Sequence, residues 1–147
     1  MKYIRFSRLM MVTAILAMTI SSYGQDKVIP YAEVPASIQS YIKMHFNNVT
    51  VLQAEIDYEG LTKEYDIVLN DGTKLDFDRK NRIKSIKGKS KLPSSVIPVK
   101  IQTYVQGKYP DNHIVKWETE RSHQSVELNN GLELEFNKKG DFLRIDN

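Results

Sequence analysis

The most regular chemical spacing in this sequence belongs to its carboxylates. In "KEYDIVLNDGTKLDFD" (63–78), Asp66 precedes an Asn-Asp-Gly turn, and Asp76 and Asp78 follow it at a two-residue step. In "SVELNNGLELEF" (125–136), Glu127 precedes an Asn-Asn-Gly turn, and Glu133 and Glu135 follow it in the same way. A two-residue step along a strand places side chains on one face. If Leu52, Ala54 and Ile56 point to the core, Glu55 and Asp57 join that face, and Glu118 and Glu120 join it by the same register. Ten of the eighteen acidic residues then share one surface, diluted by Lys74, Lys116, Arg82 and Lys84. Such a surface has a plain reading as the solvated side of an antiparallel sheet. Its sharper reading is a docking face that steers a cationic partner. A divalent-cation site is a weaker variant, because Ca²⁺ is held by oxygens converging from a loop rather than spread along strands.

The sequence holds no catalytic constellation. It contains no cysteine nucleophile, no His-Glu-x-x-His, no Gly-rich phosphate loop and no Gly-x-Ser-x-Gly elbow. Of the three histidines, His45 ends an expected helix, where a cation complements the dipole, and His113 and His123 lack ligand spacing. These residues predict a non-enzyme with no cofactor or metal site. The single tryptophan, Trp117, is expected in the core; exposed on the open face, it would instead be a binding hot spot.

Composition narrows the class further. Residues 1–24 divide into a basic start (Lys2, Arg5, Arg8), an apolar run from Leu9 to Ile20 and a short polar end, the layout of a cleavable signal peptide. The run is too short for a membrane span of about 20 residues. Without these residues, 21 Lys and Arg become 18, against 18 Asp and Glu, so the exported chain is neutral. That balance argues against nucleic acid and against anionic lipid. With no cysteine, the chain has no disulfide and no lipoprotein anchor, so a soluble protein of the periplasm or the exterior is expected.

The elements that must position the carboxylates are written twice. At an offset of 63 residues, "IPYAEVPASIQSYIKMHF" (29–46) lies over "LPSSVIPVKIQTYVQGKY" (92–109), aligning Pro30, Pro35, Ile38, Gln39 and Tyr41 with identical residues. At an offset of 59, "LNDGTKLDFD" lies over "LNNGLELEFN", so the second copy lacks four residues within 57–64. Each copy opens with a helix that has proline (Pro35, Pro98) at its first position. Ile38, Tyr41, Ile42 and Phe46 form its apolar stripe, matched by Ile101, Tyr104, Val105 and Tyr109. The second helix meets its stop at Gly107 and Pro110.

Four strands follow in each copy: 50–57, 63–69, 73–78 and 82–87, then 113–119, 123–128, 132–137 and 141–146. Only a three-residue loop, Asn70-Asp71-Gly72, keeps Tyr65, Ile67, Leu75 and Phe77 on one face, with Gly72 left-handed. Asn129-Asn130-Gly131 and Lys138-Lys139-Gly140 repeat the device, as does Arg79-Lys80-Asn81, with asparagine in the glycine position. Ile86 and Ile145 fall on the opposite parity unless a bulge intervenes, which the sequence leaves open. The expected architecture is α+β: a tandem α-β-β-β-β repeat forming one curved antiparallel sheet of about eight strands with helices on one face. The first half spans 25–91, including a connector at 87–91, and the second spans 92–147. The halves share one core as one domain, since a unit of roughly 60 residues is marginal alone.

The motif Pro-x4-Pro-x2-Ile-Gln-x-Tyr, followed by Leu-Asn-x-Gly-x2-Leu-x-Phe, resembles the PepSY-like, β-lactamase-inhibitor-like family of exported bacterial proteins. The resemblance covers residues 26–147 and implies a Gram-negative periplasmic protein with a curved sheet backed by helices. Asn47 and Asn81 depart from the family's proline and glycine, and both positions concern turns. No inhibitory motif transfers residue by residue, and the inhibitors that the family is named after contain disulfides that this chain lacks. The expected function is a non-enzymatic binding module that contacts an envelope or secreted protein through the acidic face, as an enzyme inhibitor or modulator. The alternative is an envelope module for a small ligand or cation.

Overall fold

The computed structural model describes residues 26–59 and 61–146; the expected signal peptide lies outside the described residues. Among the described residues, nine strands form one sheet in chain order, each antiparallel to the next. They are β1 (Lys27–Val28), β2 (Val51–Glu59), β3 (Thr62–Leu69), β4 (Lys74–Phe77), β5 (Ile83–Lys87), β6 (Ile114–Thr119), β7 (His123–Leu128), β8 (Glu133–Asn137) and β9 (Phe142–Asp146). Helix α1 (Ala36–His45) connects β1 to β2, and α2 (Val99–Lys108) connects β5 to β6. The sequence pattern accounts for eight of these strands. The ninth, β1, is a two-residue stub too short to carry a pattern.

All four repeated prolines start helical turns. Pro30 and Pro93 precede single 3₁₀ turns at Tyr31–Glu33 and Ser94–Val96. Pro35 and Pro98 stand one position earlier than expected, as N-caps with ψ of 138° and 134°. In that extended conformation their carbonyls accept the Ile38 and Ile101 amides, each at 3.0 Å. The repeated glutamine then ties turn to helix. Gln39 Nε2 donates to the Tyr31 and Val34 carbonyls at 3.3 and 2.7 Å, and Gln102 Nε2 to those of Ser94 and Ile97 at 2.7 and 2.6 Å. Gly107 is inside α2 rather than at its end. The helix stops at Tyr109, which Pro110 biases away from helical backbone.

The hairpins pair as expected: Tyr65 with Phe77, Ile67 with Leu75, Val126 with Leu134, Phe77 with Ile83 and Phe136 with Phe142. Gly72, Gly131 and Gly140 have φ of 86°, 84° and 82°, and Asn81 has φ of 59°, the left-handed geometry these loops require. Asn70 and Asn129, identical in both copies, accept the Thr50 and His113 amides, tying each loop to the residue that leads into the copy's first long strand. Bulges in β5 and β9 resolve the parity of the last strands, placing Ile86 opposite Leu75 and Ile145 opposite Leu134. The extra residues of copy one lengthen the β2–β3 hairpin, whose strands are nine and eight residues against six and six for β6–β7.

Register builds one apolar row across eight strands: Ala54, Ile67, Leu75, Ile86, Trp117, Val126, Leu134 and Ile145. Ile38 and Ile42 of α1 and Ile101 and Val105 of α2 belong to the same hydrophobic cluster, which draws on both halves. Tyr41 packs edge-on to Phe77 and Tyr104 edge-on to Phe136, with ring centroids 5.6 and 5.4 Å apart. Such a contact adds about 1 kcal/mol beyond burial. Leu52 does not point inward as expected. A bulge between Val51 and Gln53 turns it to solvent at 71% exposure, and Val51 pairs with Leu69 instead. Ala54 and Ile56 remain buried, so the inference for Glu55 and Asp57 survives.

Trp117 is core rather than an exposed hot spot. Its indole N–H donates to Gln124 Oε1 at 3.2 Å, and Gln124 in turn donates to the Asn137 and Lys138 carbonyls. In copy one, Ala54 and Tyr65 occupy the equivalent positions, so the indole and its hydrogen-bond acceptor both belong to copy two alone. The connector is not free: the Gly88 and Leu92 amides donate to Val115 and Ile114 at the start of β6.

Candidate protein-docking face

The side chains between those of the apolar row point to the opposite face, which the helices leave open. Register again orders them. One row reads Glu55, Asp66, Asp76, Ser85, Glu118, Ser125, Glu135 and Arg144; beside it runs Gln53, Val68, Lys74, Lys87, Lys116, Glu127, Glu133 and Asp146. Asp57 lies on the other flank of the first row, paired with Glu64. Eight of the ten expected carboxylates therefore lie on this face: Glu55, Asp57, Asp66, Asp76, Glu118, Glu127, Glu133 and Glu135.

The other two serve the strand ends. Asp78 closes the β4–β5 turn: its Oδ1 accepts the Lys80 and Arg82 amides, both at 2.9 Å, and its Oδ2 accepts the Arg82 guanidinium at 2.7 Å. Burial opposes its charge, but these bonds outweigh it and hold the carboxyl below its ordinary value. Asn137 does the same job in copy two, accepting the Lys139 and Asp141 amides. A neutral residue suffices there, which assigns Asp78 to the turn. Glu120 follows β6 and sits 3.8 Å from His123. Asp78 and Glu120 line a groove of ≈ 960 Å³ between the β4–β5 and β6–β7 turns, where Arg79, Arg82, Arg121 and Lys138 also gather.

Charge on the face is divided between the halves. In copy two, Glu118 pairs with Lys116 at 2.6 Å, Glu135 with Arg144 at 2.9 Å and Glu127 with Lys87 at 3.9 Å. Glu135 is buried within its own row, against Ser125 and Arg144, and not beneath a helix. In copy one, Glu55, Asp57, Asp66 and Asp76 crowd together, and the nearest cation, Lys84, is held by Glu64 at 2.5 Å. Burial, reinforced by Asp76, Asp57 and Glu55 and opposed by Lys84, pushes Asp66 up to about 6. Burial also raises Asp76, against a hydrogen bond from Ser85 and the charge of Lys84. The cluster with unbalanced charge is therefore β2–β4, not the whole face.

Glu64 escaped sequence reasoning, although its two-residue step from Asp66 was visible; its partner, Lys84, is the bulged residue of β5. The histidines are scattered. His45 Nδ1 lies 2.9 Å from Ser95 Oγ, and His123 contacts Ser122 and Glu120. Among the described residues, no three His, Cys, Asp or Glu side chains form a group that could hold a metal ion. Also among them, no helix is long and apolar enough to cross a membrane.

Comparison with known proteins fits this architecture. A family described as "Putative beta-lactamase-inhibitor-like, PepSY-like" matches residues 18–80 and again residues 63–144. No curated protein matches the chain. A crystal structure of a protein from Bacteroides thetaiotaomicron, described as a "putative calcium-regulated periplasmic protein", superposes with a TM-score of 0.79 at 34% identity, covering 83% of this chain and 97% of that one. Two periplasmic proteins of Bacteroides vulgatus follow. The first has a TM-score of 0.78 at 34% identity over 84% of this chain and 98% of its own. The second, described as of unknown function, has 0.78 at 31% over 84% and 100%. Two family matches laid along one duplicated sheet, with periplasmic structural relatives above 30% identity, show that the chain belongs to the PepSY-like family.

Proposed function

We propose that this protein is a non-catalytic periplasmic module whose open sheet face docks a protein partner and modulates or inhibits an envelope enzyme. The observation that carries the reading is the charge imbalance on β2–β4. Asp66 and Asp76 keep their charge at a cost set first by burial and, for Asp66, also by the neighbouring Asp76, Asp57 and Glu55, on a face that no helix covers. A cationic side chain from a partner removes that cost, and a segregated field also speeds encounter. The description of the family as inhibitor-like supports the same role, and a sequence with no cysteine nucleophile, His-Glu-x-x-His or Gly-x-Ser-x-Gly elbow favours binding over turnover.

The test is affinity capture from envelope extract with the parent protein and with a triple Asp57→Asn, Asp66→Asn, Asp76→Asn variant. The expected result is a stoichiometric partner whose retention falls with salt and is lost in the variant. Retention unchanged by the variant refutes the docking role, and turnover of any envelope substrate by the purified protein refutes the non-catalytic one. Cation binding is the second reading; the relative described as calcium-regulated favours it, and the lack of three converging ligands among the described residues weighs against it. Under it, calcium alone raises the thermal midpoint of the parent and not of the variant.

A further inference from the structure

The repeat makes β5 a strand with two roles. It closes the first copy and, on its other side, pairs with β6 to open the second. Strand β9 is the 59-residue equivalent of β5, and β2 the 63-residue equivalent of β6. Yet β9 has no strand on its outer side among the described residues, and β2 has only the stub β1. The internal β5–β6 junction is thus a template for a contact that the ends of the sheet do not make within one chain.

We propose that β9 of one molecule pairs with β2 of a second copy, displacing β1 and continuing the sheet head to tail. The template supplies the register. Ser85 opposite Glu118, Ile86 opposite Trp117 and Lys87 opposite Lys116 become Arg144 opposite Glu55, Ile145 opposite Ala54 and Asp146 opposite Gln53 of the next copy. Three observations favour this fit. Ile145 is 43% exposed, although no other residue of its apolar row exceeds 7% and its equivalent, Ile86, is fully buried. Arg144 lands beside Glu55, cross-strand neighbour of Asp66 at the edge of the carboxylate cluster whose charge Lys84 only partly offsets. Asp146 meets the uncharged Gln53, in the row that continues through Val68 to Lys74 and Lys87, so the adjoining ends carry opposite charge in the first row and no like charge in the second.

Displacing β1 is a small change. Its two residues are exposed and pair only with Glu55 and Ile56. Ile29, whose amide donates to Ala54 at 2.9 Å, leaves an inward site that Ile145 then fills. One buried isoleucine replaces another, and a five-residue strand replaces two residues. Like any exposed edge, β9 is a template for pairing.

The inference concerns the edges of the sheet and does not rest on the docking role. It is tested by sedimentation velocity of protein purified from a periplasmic extract, from micromolar to millimolar concentration. The expected result is concentration-dependent, head-to-tail association. Ile145→Asp, at an exposed position, weakens it by roughly tenfold or more. Arg144→Glu and Glu55→Arg each abolish it alone, and mixing the two variants restores it because every junction regains an opposite-charge pair. Circular dichroism confirms that each variant is folded. A monomer at every concentration overturns the proposal, as does association that Ile145→Asp leaves unchanged or variants whose mixture fails to associate.

Discussion

Asp66 is the side chain with the most to gain from losing its charge. Replacing it with asparagine keeps the shape and removes both the cost of burying its charge and the repulsion from Asp76, Asp57 and Glu55. Its carboxyl moves from the ordinary 3.8 to about 6. At about 1.36 kcal/mol per pH unit, that displacement corresponds to about 3 kcal/mol. Asp66 is only half-buried, so water screens the interaction, and roughly half that figure, about 1.5 kcal/mol, is the realistic effect. The sign is the reverse of ordinary acid denaturation. An acid whose folded value is raised imposes a penalty that is absent below pH 3.8, grows between 3.8 and about 6 and is complete above. Asp66→Asn is therefore expected to stabilise the protein by about 1.5 kcal/mol at pH ~7.5 and to change little at pH ~3.5. Urea unfolding at both pH values, followed by Trp117 fluorescence and far-UV circular dichroism, measures this directly. A variant no more stable than the parent at neutral pH refutes the crowding argument, and so does a gain of equal size at both pH values. Confirmation would mark the cluster as a place where fold stability has been given up, the pattern expected of a binding site.

Three further outcomes follow from the packing. Ile67→Ala, in the first half, should cost about 3 kcal/mol and move the Trp117 fluorescence midpoint and the circular dichroism midpoint together, because one apolar row crosses both halves. Two separated transitions would contradict a shared core. Gln102→Ala should cost about 1–2 kcal/mol in urea denaturation through the loss of its two carbonyl contacts, with Gln39→Ala similar. Gly131→Ala should cost about 1–2 kcal/mol from its φ of 84° alone, since an added Cβ meets nothing within 4 Å; an unchanged midpoint would refute the need for a left-handed residue there.

The duplication, the loop lengths, the left-handed Asn81 and the inward faces of β3, β4, β7 and β8 were legible because strand parity and turn chemistry are local. Leu69 and Leu75 can share a face in only one way across Asn70-Asp71-Gly72. The stub β1, the Leu52 bulge and the bulges that rescue Ile86 and Ile145 were not legible. A bulge adds one residue to one strand, and its position depends on what the neighbouring strand offers. The candidate face divides along the same line. Membership of Glu55, Asp66, Asp76, Glu118, Glu127, Glu133 and Glu135 on one side follows from alternation. Their pairing by Lys87, Lys116 and Arg144, and the assignment of Asp78 to its turn, depend on which strands become neighbours.

By itself, the sequence determined that a unit was repeated, which side of the β3–β4 and β7–β8 hairpins was apolar and where the turns fell. Tertiary structure alone decided which carboxylates kept their charge unbalanced and which met a cation. Alternation is set within a few residues of backbone, whereas electrostatic balance at each carboxylate is set by side chains brought together from strands distant in sequence, through the register of the sheet.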